Sequence, residues 1–306
     1  MLMKVLCAVD GSEFSNRAIE AVGTLFHQAL KELRLIHVID DLHLKQGLKK
    51  ERVKARNMKK ILGALEEDAK KILEASKQKA ALAICQSTTS PFVTIKTVLG
   101  RGHVTDAIIN EAQKRKADII VMGSRGLSDI KGYLMGSVSR KVLVHAPCSV
   151  LTIKDPLPKS CRSLLAVDGS NASKRAATFL KNWIRPPSLS LHVLSVVPNF
   201  LTDIAPKVLS KNHLKALTQP FQIRAKELTI QYREFFLKEG YEITTEVQSG
   251  DPKKVILNSL EKKNRHLAIL GTKGLTGPER FQMGSVSEWV AAYTPCSVLV
   301  VRPRLA

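Results

Sequence analysis

"VMGSRGLSDIKGYLMGSVSRKVLVHAPCSV" spans residues 121–150, and "ILGTKGLTGPERFQMGSVSEWVAAYTPCSV" spans residues 269–298. The two stretches align without a gap, sharing 13 of 30 residues at an offset of 148 positions. A stretch carried twice marks an internal duplication, which constrains the architecture before any single motif does. The copy extends outward on both sides. "VLCAVDGSEFSNRA" at 5–18 returns as "LLAVDGSNASKRA" at 164–176, and "RLIHVID" at 34–40 matches "SLHVLSV" at 190–196. "VLGRGHVTDAII" at 98–109 matches "EVQSGDPKKVIL" at 246–257, and 21 residues separate Gly102 from Gly123 as they do Gly250 from Gly271. The break falls in "KDPLPKS", 154–160, where two prolines interrupt regular structure. This divides the chain into domains 1–154 and 160–306 with a linker at 155–159.

Each half alternates short Val-, Ile- and Leu-rich runs with amphipathic segments of helical length. In the first half the runs lie at 4–9, 33–39, 92–99, 118–122 and 149–153, with helices expected near 13–30, 47–80, 104–116 and 136–146. The second half has strands near 163–167, 189–197, 242–248, 266–270 and 297–301. Apolar runs without polar alternation suit strands covered on both faces. Ser12 is placed to cap the first helix, and Pro252 suits the first turn of its own. The expected fold class is α/β: two Rossmann-like domains, each a five-stranded parallel sheet flanked by helices.

The 306 residues are 44% hydrophobic and 25% charged, as in a globular protein, with no apolar run long enough to span a membrane. The apolar start, "MLMKVLCAVD", reads as a first strand and not as a leader. Five cysteines without a CxxC pair point to reduced thiols in a cytoplasmic protein, and no ligand spacing suggests a metal. The net charge of +21 is spread over both halves and favours an anionic ligand or surface. The densest block is Lys45 to Lys60, with eight basic residues against Glu51 alone; lacking interleaved aromatics, it reads as a solvated helix face or a docking strip for nucleic acid or acidic membrane.

In a doubly wound sheet, ligands bind beyond the carboxyl ends of the strands, where strand order reverses. Asp10 and Asp168, Val38 and Val193, and the loops from Gly123 and Gly271 are all expected at such ends. The repeated pattern is G-x2-G-x9-G-[ST], filled by Gly123, Gly126, Gly136 and Ser137 and again by Gly271, Gly274, Gly284 and Ser285. Glycines allow positive φ and bring backbone N–H groups close to a phosphate. The last Gly and Ser open a helix whose amino end favours an anion. Ser137, Ser139, Ser285 and Ser287 add hydroxyls there, and Arg125 and Lys273 add a cation to each loop. Phosphate binding is the reading this chemistry favours. The spacing is not that of a P-loop, "GRGHVT" from Gly100 lacks the third glycine of a dinucleotide fingerprint, and no catalytic triad is readable. His37 and His192 read as buried, satisfied side chains. Asp10 and Asp168 read as acceptors for adenine or ribose, or as acceptors at a helix amino end.

On "AVDGS", "IHVID", "VMGSRGLS", "MGSVS" and "HAPCSVLTI", the chain resembles the universal stress protein family in its tandem two-domain form, over nearly its whole length. The resemblance implies an adenine nucleotide alpha hydrolase-like fold that binds ATP, with magnesium, without a Walker loop. By that likeness Asp10 would sit at the adenosine end and the Val38 backbone at the adenine edge. The Gly123–Gly126 loop and Gly136, Ser137, Val138 and Ser139 would hold phosphates. Asp168, Val193, Gly271, Gly274, Gly284, Ser285, Val286 and Ser287 would do the same in the second half. It also implies an internal pseudo-dimer of the halves, or a homo-oligomer. His266 in place of Asp118, Leu270 in place of Met122, and Gly277 and Pro278 in the second loop rank the first site ahead. Three functions compete: an ATP-binding stress or regulatory module, a weak ATPase lacking a recognisable catalytic base, and a nucleotide-independent binder of anionic polymers or membranes. The first is the expectation carried forward.

Overall fold

Every position of β4 (Ile119–Gly123) and β5 (Ser149–Ile153) is buried, as strands of this composition require when both faces are covered. The computed structural model describes residues 2–41, 55–87, 93–126, 135–184, 189–199, 211–273 and 283–303, with backbone only at 55, 56, 86, 87 and 211–215. The chain divides into two units, one built on Met1–Leu157 and the other on Pro158–Arg302.

Unit 1 comprises β1 (Met3–Ala8), α1 (Glu13–Phe26), β2 (Leu30–Ile39), α2 (Ala55–Ser87), β3 (Thr94–Arg101), α3 (Val104–Arg115), β4, α4 (Ser137–His145) and β5. Its strands run parallel in the order β3-β2-β1-β4-β5. The order reverses between β1 and β4, so the strand ends at Asp10 and Gly123 flank the crevice where such sheets take ligands. Unit 2 repeats this with β6 (Cys161–Val167), α5 (Asn171–Trp183), β7 (Leu189–Val197), α6 (Lys211–Lys238), β8 (Glu242–Ser249), α7 (Pro252–Lys262), β9 (Leu267–Gly271), α8 (Ser285–Tyr293) and β10 (Ser297–Val301). Its parallel order is β8-β7-β6-β9-β10.

Local chemistry sets the element ends. Ser12 Oγ accepts the Ser15 N–H at 3.2 Å and caps α1, and Ser170 Oγ does the same for α5 through Ser173. Pro252 opens α7 behind the Asp251 cap, which accepts the Lys254 N–H at 3.1 Å. Helix α1 stops at Phe26, short of the expected 30, because Ala29 O already accepts the Met3 N–H and the chain joins the sheet at Leu30. Helix α2 runs past the expected 80 to Ser87, because Ala80 and Ile84 are buried. Gly23 lets α1 lie close there: a Cβ on it would fall 2.7 Å from Ala83 O. Residues 47–54 of that expected helix, with most of the basic block, lie outside the described residues. Cys7 and Cys161 are core residues whose thiols desolvation pushes up to about 12, so they pack and do not react.

The hydrogen-bond register corrects one correspondence between the halves. Gly102 N donates to Ile39 O at 3.1 Å, and Gly250 N donates to Val197 O at 3.0 Å. Leu6 pairs with Arg34, whereas Leu164 pairs with His192. Val38 therefore has Val196 as its counterpart, while Val193 matches Leu35 and is fully buried. The His-Val dipeptide shared by the two strands is displaced by three residues in the fold.

Candidate functional site

At the carboxyl ends of β1, β2 and β4, unit 1 holds a cleft of about 530 Å³. Its lining includes Asp10, Val38, Gly123, Arg125, Gly126, Ser137, Val138 and Ser139, drawn from stretches more than a hundred residues apart. Gly136, the buried N-cap residue of α4, immediately precedes the lining residue Ser137. An apolar wall is formed by Ile36, Ile39, Ala69, Ile72 and Ile108.

The lining at the amino end of α4 is built to receive negative charge. Helix α4 has Gly136 as its N-cap, and no side chain caps it. The N–H groups of Ser137, Val138 and Ser139 lie in the first turn, where no intrahelical carbonyl reaches. Their combined dipole favours an anion. Arg125 lines the same end, its guanidinium 5.9 Å from the Phe14 ring centroid. Ser139 does something other than the sequence suggests. Its hydroxyl donates to Ser124 O at 2.7 Å and lies 2.9 Å from Gly136 O, tying the loop to the helix; the proton it could offer an anion is committed.

Asp10 serves two purposes. Its Oδ1 accepts the Ser12 N–H at 3.0 Å, holding the turn at Gly11 with φ +79°. Its Oδ2 faces the glycine loop: a Cβ on Gly126 would stand 2.9 Å from it. The glycines of the motif have a different physical basis from the one expected. Gly123, Gly126, Gly136, Gly271 and Gly284 are not among the positive-φ residues. At Gly123 a Cβ would fall 2.7 Å from Phe14 Cβ and 2.8 Å from its carbonyl carbon, and at Gly271 it would fall 2.7 Å from the Ala172 carbonyl carbon. These two glycines let the first turn of the capped helix press onto the strand end.

Unit 2 reproduces the frame. Asp168 Oδ1 accepts the Ser170 N–H at 3.0 Å, Gly284 is the N-cap of α8 without a side-chain cap, and Ser287 Oγ donates to Gly271 O at 2.7 Å. Ser285 and Val286 open α8, and Lys273 stands where unit 1 has Arg125. Gly274, Gly277 and Pro278 lie outside the described residues. Val193 does not join this group, because its place in the register is in the core and the strand end belongs to Val196.

Sequence reading missed most of the wall. Leu65, Asp68, Ala69 and Ile72 come from α2, and Asp40 from the end of β2. No local pattern distinguishes these residues from others on the same elements. His37 also lines the cleft, with Nδ1 donating to Val9 O at 2.8 Å, so it is satisfied as expected. His192 is buried against Thr244 Oγ1 at 2.8 Å and Glu246 Oε2 at 3.1 Å. Desolvation, reinforced by Arg265 and Lys263, pushes its pKa down to about 4 despite Glu246. Among the described residues, no group of three or more His, Cys, Asp or Glu could hold a metal ion, and no helix is long and apolar enough to cross a membrane.

An open parallel sheet with a crevice at its strand-order switch and helices on both faces defines a Rossmann-like α/β fold. The model of the universal stress protein family matches residues 1–154 and again 162–302, and the chain belongs to that family as a tandem of two such domains. It is 31% identical over 158 residues to the universal stress protein YxiE of Bacillus subtilis, covering 50% of this chain and all of that one. The crystal structure of a universal stress protein from Archaeoglobus fulgidus superposes with a TM-score of 0.66 at 24% identity, covering 99% of this chain and 97% of the other. A protein of unknown function from Pseudomonas aeruginosa gives 0.59 at 17% identity, over 99% and 93% of the two chains. Both likenesses concern the fold.

Proposed function

We propose that unit 1 binds an adenine nucleotide, ATP in the first instance, and that the chain is a regulatory module whose nucleotide state partners read. The observation that carries this is the convergence of Asp10, Val38, Gly123, Arg125, Gly126, Ser137, Val138 and Ser139 on one cleft of about 530 Å³. That volume is within the range of small-molecule sites, roughly 300–1,000 Å³. The apolar wall of Ile36, Ile39, Ala69 and Ile108 suits a purine. Asp10 suits ribose hydroxyls, and the uncapped first turn of α4 with Arg125 suits phosphates. Charge-assisted hydrogen bonds of about 1.5–3 kcal/mol each, several together, are what such an end supplies. The sequence resemblance points to the same ligand. Magnesium would enter with the nucleotide, carried by its phosphates, since the described residues offer no cluster of three or more such ligands to hold the ion by themselves.

Titration calorimetry of the full chain with ATP, with and without Mg²⁺, tests the reading. Saturable binding that weakens about tenfold in Arg125→Ala is expected. Absence of both heat and thermal shift under either condition would refute it.

A further inference from the structure

The inner side of α6 is marked by Ala225, Thr229, Tyr232 and Phe236, all buried. On another side Ile223, Ile230 and Leu237 recur every seven residues and are 49%, 54% and 48% exposed. At 100° per residue these three fall within about 40° of one another and roughly 130° from the buried stripe. A seven-residue repeat is the spacing of one seam position in a two-stranded coiled coil. At the amino end, a groove of about 510 Å³ lined by Ala216, Gln219, Pro220, Ile223, Arg224 and Glu227 continues this side by nearly two turns.

The duplicated helix in unit 1 is an internal control. A Cβ on Gly11 would meet Ile72, and one on Gly169 would meet Leu228, which aligns α2 with α6 at an offset of 156. Buried Ala69, Leu73, Ser76 and Ala80 then fall on buried Ala225, Thr229, Tyr232 and Phe236. On that alignment the stripe positions in unit 1 hold Glu67, Glu74 and Ala81. The fold accepts carboxylates there, so its own packing does not call for the isoleucines and leucine of α6.

The flanking charges select the occupant. Lys226 and Arg233 lie about 50° to one side of the seam and Glu227 and Glu234 about 50° to the other, and all four are exposed. Two α6 helices packed parallel about a twofold axis would set the cationic edge of each against the acidic edge of the other. An antiparallel pair would set like against like. We infer that α6 is a homodimerisation helix, with Ile223, Ile230 and Leu237 of one copy meeting the same residues of a second copy in parallel. Ion pairs between the Lys226–Arg233 and Glu227–Glu234 edges fix the direction. This does not depend on nucleotide binding.

Sedimentation of the full chain from low to several hundred micromolar tests it. A monomer–dimer equilibrium is expected, weakened ~tenfold or more in Ile230→Glu, whose site is exposed and whose folding circular dichroism can verify. Glu227→Lys with Glu234→Lys should also weaken it, and adding Lys226→Glu with Arg233→Glu should restore it. In a Cys85→Ser background, Ile223→Cys and Leu237→Cys should each form disulfide-linked dimers alone. A chain that stays monomeric at every concentration, or a dimer indifferent to Ile230→Glu, would overturn the proposal. Cross-linking only when the two cysteine variants are mixed would overturn the parallel arrangement.

Discussion

The strand ends of unit 1 and unit 2 share a backbone and differ in what stands on it. Both have the aspartate turn, the Ser cap, the uncapped helix after the third glycine, and a serine bonded back to the loop. Around that frame Phe14 becomes Ala172, Gly100 becomes Gln248, and the register puts Ser195 where unit 1 has His37. Ser76 gives way to Tyr232, whose hydroxyl reaches Ser173 Oγ at 3.4 Å and whose ionisation burial and the nearby Asp168 charge both disfavour. Gln248 Nε2 is held by Glu246 at 2.6 Å beside the strand carrying Val196. What duplication retained is the uncapped helix mouth. On the proposed reading, what diverged would touch base and sugar, so unit 1 is expected to bind nucleotide more tightly than unit 2.

The comparison can be broken most severely at its glycines. Gly123→Val and Gly271→Val each force a side chain into backbone carbon at 2.7–2.8 Å, and each should cost about 3 kcal/mol of stability, read by denaturant unfolding. Nucleotide binding should be lost in the first variant and spared in the second; equal loss would contradict the ranking of the units. Next in size, Val193→Ala should destabilise by roughly 2 kcal/mol and Val196→Ala by much less, since the former is core and the latter less enclosed. A reversal of that order would mean the register is misread. Asp10→Ala should reduce ATP affinity by about tenfold, ~1.4 kcal/mol, while Asp168→Ala leaves it unchanged by calorimetry.

The smallest effect concerns acid. Folded His192 binds its proton about 4 against an ordinary 6.5, so below pH 6.5 the unfolded chain takes up a proton the folded chain refuses. Stability is therefore lost as pH falls through this window, by about 1 kcal/mol between pH 7 and 5.5. His192→Gln should flatten that part of the pH profile of thermal unfolding.

Much of this architecture could be read in advance. Ser12 and Pro252 announced their helices because such end signals depend only on neighbours two or three residues away. Asp10, Gly123 and Ser137 could be grouped because strand ends follow from local apolar runs and sheet rules. Val193 went astray because "HV" occurs on both β2 and β7, while pairing is decided by partners on β1 and β6 that sequence similarity does not weigh. The role of Ser139 was missed because its acceptor, Ser124 O, lies across the loop. Ile72 and Ala69 were invisible because helix α2 reaches the cleft only after folding.

By itself the sequence determined the duplication, the alternation of strand and helix, the capped turns and the set of glycines, since each is encoded in spacing along the chain. Only the tertiary structure decided which valine stands at the second strand end, why Gly123 and Gly271 cannot carry a Cβ, and which side of α6 is left apolar and open. Those are matters of what lies opposite a residue in space, which parallel strands joined by long crossovers leave unrelated to distance in sequence.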